Sequence, residues 1–305
     1  MPAPAASSLR TVVVALAANL GVAVAKLVAA LLTGSSGIMA EAFHAFADAG
    51  NEVLLLVSHR RSQAPPDEAH PLGHGREAYF WALIASIGVF VTGALLSLRE
   101  GVNELGHPHA VTSFAVGYAT LAVSLVLEGA SLLQAYRQLR AEARAAGREF
   151  LEHLDLSSDP VARAVFAEDA AALVGNALAL IGLALHQVTG SALPDGLAAL
   201  AIGVLIGVVA LQLARRNGDF LIGRQVSPAL RARIEVIIAA EPGIVAVTEL
   251  LVSFLGPRRI WVVARVIVDG GLNGTAIAAM TCATEASLMR ASPFIARVDL
   301  VPRGS

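Results

Sequence analysis

Six stretches of mostly apolar residues alternate along the chain with short polar segments, at roughly 11–33, 37–58, 78–101, 112–136, 162–187 and 192–214. Each is long enough to cross the ~30 Å hydrocarbon layer of a bilayer as a helix. Only Gly34-Ser35-Ser36-Gly37 separates the first two, and Thr189-Gly190-Ser191 the last two, so each pair is expected to form a tight antiparallel hairpin. After Gly223 the periods shorten. Helical spacing over 228–240 ends at Pro242-Gly243, strand-like runs fill 245–254 and 260–268 around Pro257-Arg258, and a helix over 275–290 precedes a last strand over 294–300. The pattern predicts an α-helical membrane protein. Six transmembrane helices form residues 1–216, and a small C-terminal α+β domain, cytoplasmic by the charge argument below, forms 217–301, with two helices on one face of its sheet. Residues 302–305, at the end of Leu300-Val-Pro-Arg-Gly-Ser305, read as a thrombin-type cleavage scar and stand outside this expectation.

Composition agrees with a membrane protein: 56% of the 305 residues are hydrophobic and 15% charged, against about 25% charged in an ordinary soluble domain. Arginines gather on one side of the expected topology. Arg60, Arg61 and Arg76 flank the second loop, Arg137, Arg140, Arg144, Arg148 and Arg163 fill the fourth, and Arg215, Arg216 and Arg224 follow the sixth span, while 34–37, 102–111 and 188–192 hold neither Lys nor Arg. The positive-inside rule then puts both termini in the cytoplasm. Compact loops, and a first apolar stretch too long for a signal-peptide core, favour a bacterial inner membrane without a targeting segment. A net charge of -2 argues against nucleic acid as a partner. The single cysteine, Cys282, excludes a disulfide framework and a multi-cysteine zinc site. It reads as a small buried apolar residue, and metal ligation falls to histidines and carboxylates.

Ionisable side chains within spans are costly, so each invites a functional reading. The second span holds Glu41, His44, Asp48 and Glu52, and the fifth holds Glu168 and Asp169, with no Lys or Arg in either group. Carboxylates without a fixed counter-cation imply protonation or a bound cation. His44 and Asp48 are four apart and share a helix face, and imidazole with carboxylate suits zinc and other first-row divalent ions. In the second loop, Asp67, His70 and His74 surround a turn at Pro71 and Gly73 and form a candidate second metal site. Glu128, deep in the fourth span, is a candidate proton carrier. Glu100, Glu104 and Asp195 lie near the expected interfaces and read as solvated or capping residues.

Two motifs carry a resemblance. Ser35-Ser36-Gly37-Ile38-Met39-Ala40-Glu41-Ala42-Phe43-His44 leads to Asp48, and His70-Pro71-Leu72-Gly73-His74-Gly75-Arg76 precedes the third span. With six spans and a C-terminal domain, the chain resembles the cation diffusion facilitator family over nearly its whole length. Glu168-Asp169-Ala170-Ala171-Ala172, Leu193-Pro194-Asp195-Gly196-Leu197 and Leu221-Ile222-Gly223-Arg224 are similar to the mitochondrial-type zinc transporter branch. The resemblance implies a homodimer and a mid-membrane site with two ligands on the second span and two on the fifth. The second span matches with His44 and Asp48. The fifth departs from the pattern, because Glu168 is followed four residues later by Ala172, leaving Asp169, water or Glu52 to complete the shell. No histidine follows His186, so the C-terminal domain is expected to support dimerisation with little metal of its own.

The expected function is efflux of a divalent transition metal, with Zn2+ as transported substrate in exchange for protons. The partners are the lipid bilayer, the ion and protons, and no organic cofactor is involved. A membrane metal sensor or scaffold without transport is the alternative. An intramembrane metal-dependent hydrolase is a weaker one, because no span holds His-Glu-x-x-His.

Overall fold

The computed structural model describes residues 9–145 and 147–304, with side chains from residue 16 onward. The chain divides into two compact units.

The first unit takes in the described part of 1–58 together with 81–154 and 161–217. Its helices are α1 (Leu9–Thr33), α2 (Ser36–Ser62), α3 (Glu77–Val89), α4 (Leu96–Gly106), α5 (Phe114–Ala145), α6 (Phe150–Leu156), α7 (Pro160–Thr189) and α8 (Leu193–Ile222). A π-helical turn over Phe90–Leu95 joins α3 to α4, so Glu77–Gly106 is one continuous rod of 30 residues. Among the described residues, five segments are long and apolar enough to cross a membrane: Leu16–Thr33, Glu77–Gly106, Phe114–Ala145, Pro160–Thr189 and Leu193–Ile222. The sixth expected span, α2, has the length, at 27 residues, but not the apolarity. The residues that lower its hydropathy, Glu41, His44, Asp48, Asn51 and Glu52, are those of chemical interest. Much of this polar set is turned inward, with Glu41, His44 and Asn51 buried.

Small residues bring the helices together. The core joins Ala29 and Ala30 of α1, Ala40 and Ala47 of α2, Ala179 of α7, and Ala199, Ile202 and Ile206 of α8. A Cβ added to Gly101 would lie 2.7 Å from Leu200 Cγ, and one on Gly203 would lie 2.8 Å from Leu98 Cγ, so α4 and α8 approach at a distance only glycine allows. Buried carboxylates fix the start of α2. Asp195 accepts hydrogen bonds from Ser36 N–H at 2.6 Å, Ser35 Oγ at 2.8 Å and Gly37 N–H at 3.3 Å, and Glu104 accepts one from Ser36 Oγ at 2.9 Å. Asp195 is fully buried and Glu104 is 2% exposed, so neither is a solvated interface residue. Asp195 is a cap, as expected, but for the N-terminus of α2, where a negative charge opposes the helix dipole.

The second unit comprises 59–80, 155–160 and the described part of 218–305, and is therefore wider than 217–301. Its sheet has the order β1-β2-β3, with β1 (Ile244–Gly256) antiparallel to β2 (Arg259–Val268) and β2 parallel to β3 (Ile295–Gly304). The crossover from β2 to β3 is α10 (Gly274–Ala291), and α9 (Pro228–Ala239) precedes β1. Inward positions alternate along β2, where Ile260, Val262, Ala264, Val266 and Val268 are buried with Ile234, Ile238 and Leu288 from the helices. Two expectations are corrected here. Residues 302–304 are not outside the fold, since Pro302, Arg303 and Gly304 continue β3 opposite Val266, Ile267 and Val268. Proline is accommodated because β3 is an edge strand. Cys282 is exposed rather than buried, on a face of α10 away from its buried residues Met280, Thr284 and Leu288.

Candidate metal centre

Three residues of α2 mark one face of that helix: His44, Asp48 and Asn51, spaced i, i+4, i+7. Asp48 and Asn51 border a chamber of about 420 Å³ that is also lined by Glu52 of α2, Glu128 and Ser131 of α5, and Glu168, Asp169 and Ala172 of α7. His44 is buried behind Asp48, with Nδ1 3.3 Å from Asp48 Oδ1. Asn51 donates a 2.5 Å hydrogen bond to Glu168 Oε2, and Ser131 donates one of 2.7 Å to Asp169 Oδ2. Glu52 accepts from Asn19 at 3.0 Å. Apart from the 3.3 Å approach of His44 Nδ1 to Asp48 Oδ1, which does not have hydrogen-bond geometry, both ring nitrogens of His44, Asp48 Oδ1 and Glu168 Oε1 are buried without a hydrogen bond among the described residues. Such atoms are costly unless something else satisfies them. Asn51 is uncharged and so escapes a search for ionisable groups, but its spacing from His44 and Asp48 marks it.

The counter-cation missing from the second and fifth spans comes from the first. Lys26 of α1 is 1% exposed, and its Nζ lies 2.8 Å from Glu41 Oε2 and 2.7 Å from Glu128 Oε1. Asn176 of α7 donates to Glu128 Oε2. A Cβ on Gly175 would collide with Glu41 Oε1, so glycine makes the room that carboxylate occupies. Any proton carriage by Glu128 thus involves Lys26. Lys26 balances Glu41 and Glu128, whereas Asp48, Glu52, Glu168 and Asp169 have no Lys or Arg partner among the described residues. A lone lysine deep in an apolar stretch was the sequence signal for it.

The loop of the second unit is built differently. Asp67, His70 and His74 offer ligand atoms that all lie within 4.8 Å of one another, and no other trio of such residues does so among those described. Asp67 Oδ1 lies 3.2 Å from His70 Nδ1, and Asp67 Oδ2 lies 3.0 Å from His74 Nε2. Glu77 Oε1 is 2.6 Å from His74 Nδ1. Gly73, at φ 80°, turns the chain between the histidines. Hydrogen bonds from the His74 ring, and then from the His70 backbone N–H, hold the Asp67 carboxyl down to about 2. The carboxylates of Asp67, first, and Glu77 push His74 above the ordinary histidine value.

Residues 12–222 match the family described as the cation efflux transmembrane domain. The chain belongs to the cation diffusion facilitator family. This facilitator is 36% identical over 245 residues to the proton-coupled zinc antiporter SLC30A9, mitochondrial, of Xenopus laevis, covering 80% of this chain and 44% of that protein. The human protein of the same name gives 36% over 245 residues, with 80% and 43% covered. The cation-efflux pump FieF of Shewanella oneidensis is 28% identical over 249 residues, 81% of this chain and 78% of that protein. The facilitator therefore spans less than half the length of the two antiporters. The resemblance to the mitochondrial-type branch is borne out. The placement in a cell inner membrane with cytoplasmic termini is not: the relatives at 36% identity are mitochondrial proteins, and what stands is a multi-pass membrane chain.

Proposed function

We propose that this facilitator exports a divalent transition-metal ion, zinc first, in exchange for protons by alternating access. The observation that carries the reading is the set of buried, unpartnered donor atoms of His44, Asp48 and Glu168 in and behind the chamber. One imidazole and two carboxylates form a donor set suited to zinc. Protons and metal compete for the same lone pairs, which couples the two fluxes. The names of the mitochondrial relatives, proton-coupled zinc antiporters, support the same reading.

In this reading His44, Asp48 and Glu168 are the protein ligands, and closure of α2 on α7 gathers them around the ion. Asn51 holds Glu168 in place for that closure. Ala172 lines the chamber and offers no ligand atom, so water or Asp169 takes the fourth position. Asp67, His70 and His74 form a second, modulating cation site, and the chain works as a homodimer supported by its C-terminal unit.

Reconstituted liposomes test the proposal. With an opposing pH gradient, zinc flux should rise several-fold over flux without one, and collapsing the gradient with a protonophore should remove the increase. Zinc binding with no flux under either condition would identify a sensor or scaffold instead.

A further inference from the structure

The last turn of α5 ends in a fold-back that builds a second concavity, unrelated to the chamber. Gly147 adopts φ 64°, its N–H bonds Arg144 O at 3.1 Å, and Arg148 N–H reaches back to Ala143 O at 3.0 Å. This pairing is the Schellman manner of ending a helix. It turns Arg148 back toward Arg140 and Arg144, and the three line a pocket of about 400 Å³ with Tyr136, Glu149, Phe150 and Leu151. The aromatic wall is ordered. Tyr136 and Phe150 have ring centroids 5.0 Å apart, and Phe150 meets Phe166 of α7 edge-on at 5.4 Å. Arg140 donates to Tyr136 Oη at 3.0 Å and lies 5.6 Å from the centre of its ring.

Charge in the pocket is unbalanced. None of the three arginines pairs with a carboxylate among the described residues, and the nearby Glu142 is instead 3.6 Å from His153. Glu149 alone offsets three guanidinium groups on the lining. Planar, always-charged guanidinium groups gathered in a concavity are suited to a phosphate.

The rim narrows the choice of anion. Leu151, on the lining, is 74% exposed, and Leu133 and Val126 are 46% and 70% exposed. Residues 126, 133, 140 and 144 recur at i, i+7, i+14 and i+18 and share a face of α5. An apolar stripe thus leads along a membrane-spanning helix to the arginines, at the level where Tyr136 suits an interface. An inorganic anion would use the guanidinium groups and leave the stripe bare.

We propose that this pocket binds the headgroup of an anionic phospholipid, its phosphate on Arg140, Arg144 and Arg148 and its acyl chains along Leu151 and Leu133. The test uses the purified full-length protein in neutral detergent with dioctanoyl phosphatidylglycerol, dioctanoyl phosphatidylcholine or inorganic phosphate, bound ligand being counted by native mass spectrometry. The anionic lipid should saturate at one per chain, with at least tenfold preference over phosphatidylcholine, and inorganic phosphate should not displace it at equal concentration. R140Q/R144Q/R148Q should lower retention at least tenfold. The single R144Q, at an exposed residue, should lower it about threefold without risk to the fold. R290Q removes an exposed charge of α10 that is not on the pocket lining, and should change retention less than twofold. Equal retention of phosphatidylcholine, displacement by phosphate, wild-type retention by the arginine variants, or a loss with R290Q matching that of R144Q would each overturn the proposal.

Discussion

In the loop between α2 and α3, Asp67, His70 and His74 have already converged, with ligand atoms within 4.8 Å and hydrogen bonds that satisfy them. In the chamber, His44 and Glu168 are buried and Asp48 is partly exposed, each keeps an atom without a hydrogen bond among the described residues, and the three do not form a group with ligand atoms within 4.8 Å of one another. The contrast follows from solvent. Exposed groups in water lose little by pairing with one another, and a proton on His74 neutralises the Asp67 carboxylate at hand. Buried groups fixed on two helices cannot relax toward each other without moving those helices. In the proposed reading, ligands that stay unsatisfied until an ion draws the helices together would link binding to motion, which is what a carrier requires. A site preassembled on the loop would bind without that linkage.

Removing a chamber ligand should therefore have the largest effect of all. Asp48→Ala and Glu168→Ala should each bring zinc flux in liposomes to the protein-free background, with normal expression and elution volume. Asp169→Ala should be milder, because Asp169 is held by Ser131 at the chamber wall. If Asp169→Ala were as damaging as Glu168→Ala, the ligand on α7 would be Asp169.

The next largest effect concerns the balanced pair of carboxylates beside the unbalanced ones. Lys26→Met leaves the buried Glu41 and the partly buried Glu128 without their cation, and breaking a buried ion pair from one side costs about 3–5 kcal/mol. Thermal unfolding in detergent should shift down accordingly. The triple variant K26M/E41Q/E128Q, which removes all three charges, should recover most of the loss. A triple variant as unstable as Lys26→Met would mean that the lysine acts through packing rather than charge.

A third change makes the chamber more like the loop. Ala172→Asp puts a carboxylate one turn from Glu168 on the same face of α7. Zinc binding should tighten about tenfold, roughly 1.4 kcal/mol, and turnover should slow because release becomes limiting. Unchanged affinity and rate would show that position 172 lies outside the ligand shell.

Which parts of this were legible in the sequence follows from the kind of signal each residue gives. The helices stood out because their apolar runs are long, and the C-terminal strands because Pro242-Gly243 and Pro257-Arg258 punctuate alternating residues. Helix ends did not: α5 runs on to Ala145 and α8 to Ile222, since arginines at an interface are compatible with continued helix. His44, Asp48 and Glu168 were visible as charge where charge is expensive. Lys26 carried the same signal but sits on a different helix from the carboxylates it serves, and pairing across 15 and 102 positions is a fact of packing. Asn51 is neutral, and Asp195 looked like an interface residue because nothing in its own helix tells that it caps α2. The loop trio was legible because its turn residues are local.

The smallest effect should come from the loop, and its pH dependence fixes the sign. Asp67 is held down to about 2, so its contribution to loop order is complete above its ordinary value of 3.8 and is lost as pH falls through about 2. His74 is raised, so its contribution is complete below 6.5 and is lost as pH rises through the raised value. Between those limits the metal-free loop is a carboxylate and imidazolium pair, and a metal ion must expel the His74 proton to bind. Zinc affinity at the loop should therefore increase as pH rises past the His74 transition, and Asp67→Asn should move that transition down, both readable from histidine ring resonances in NMR spectra. His70→Ala with His74→Ala should lower the transport rate only a few-fold, because the exposed loop binds without closing the chamber helices. Flux at background in that double variant, with a normal fold, would reverse the ranking of the two sites and make the converged loop the place where transport is decided.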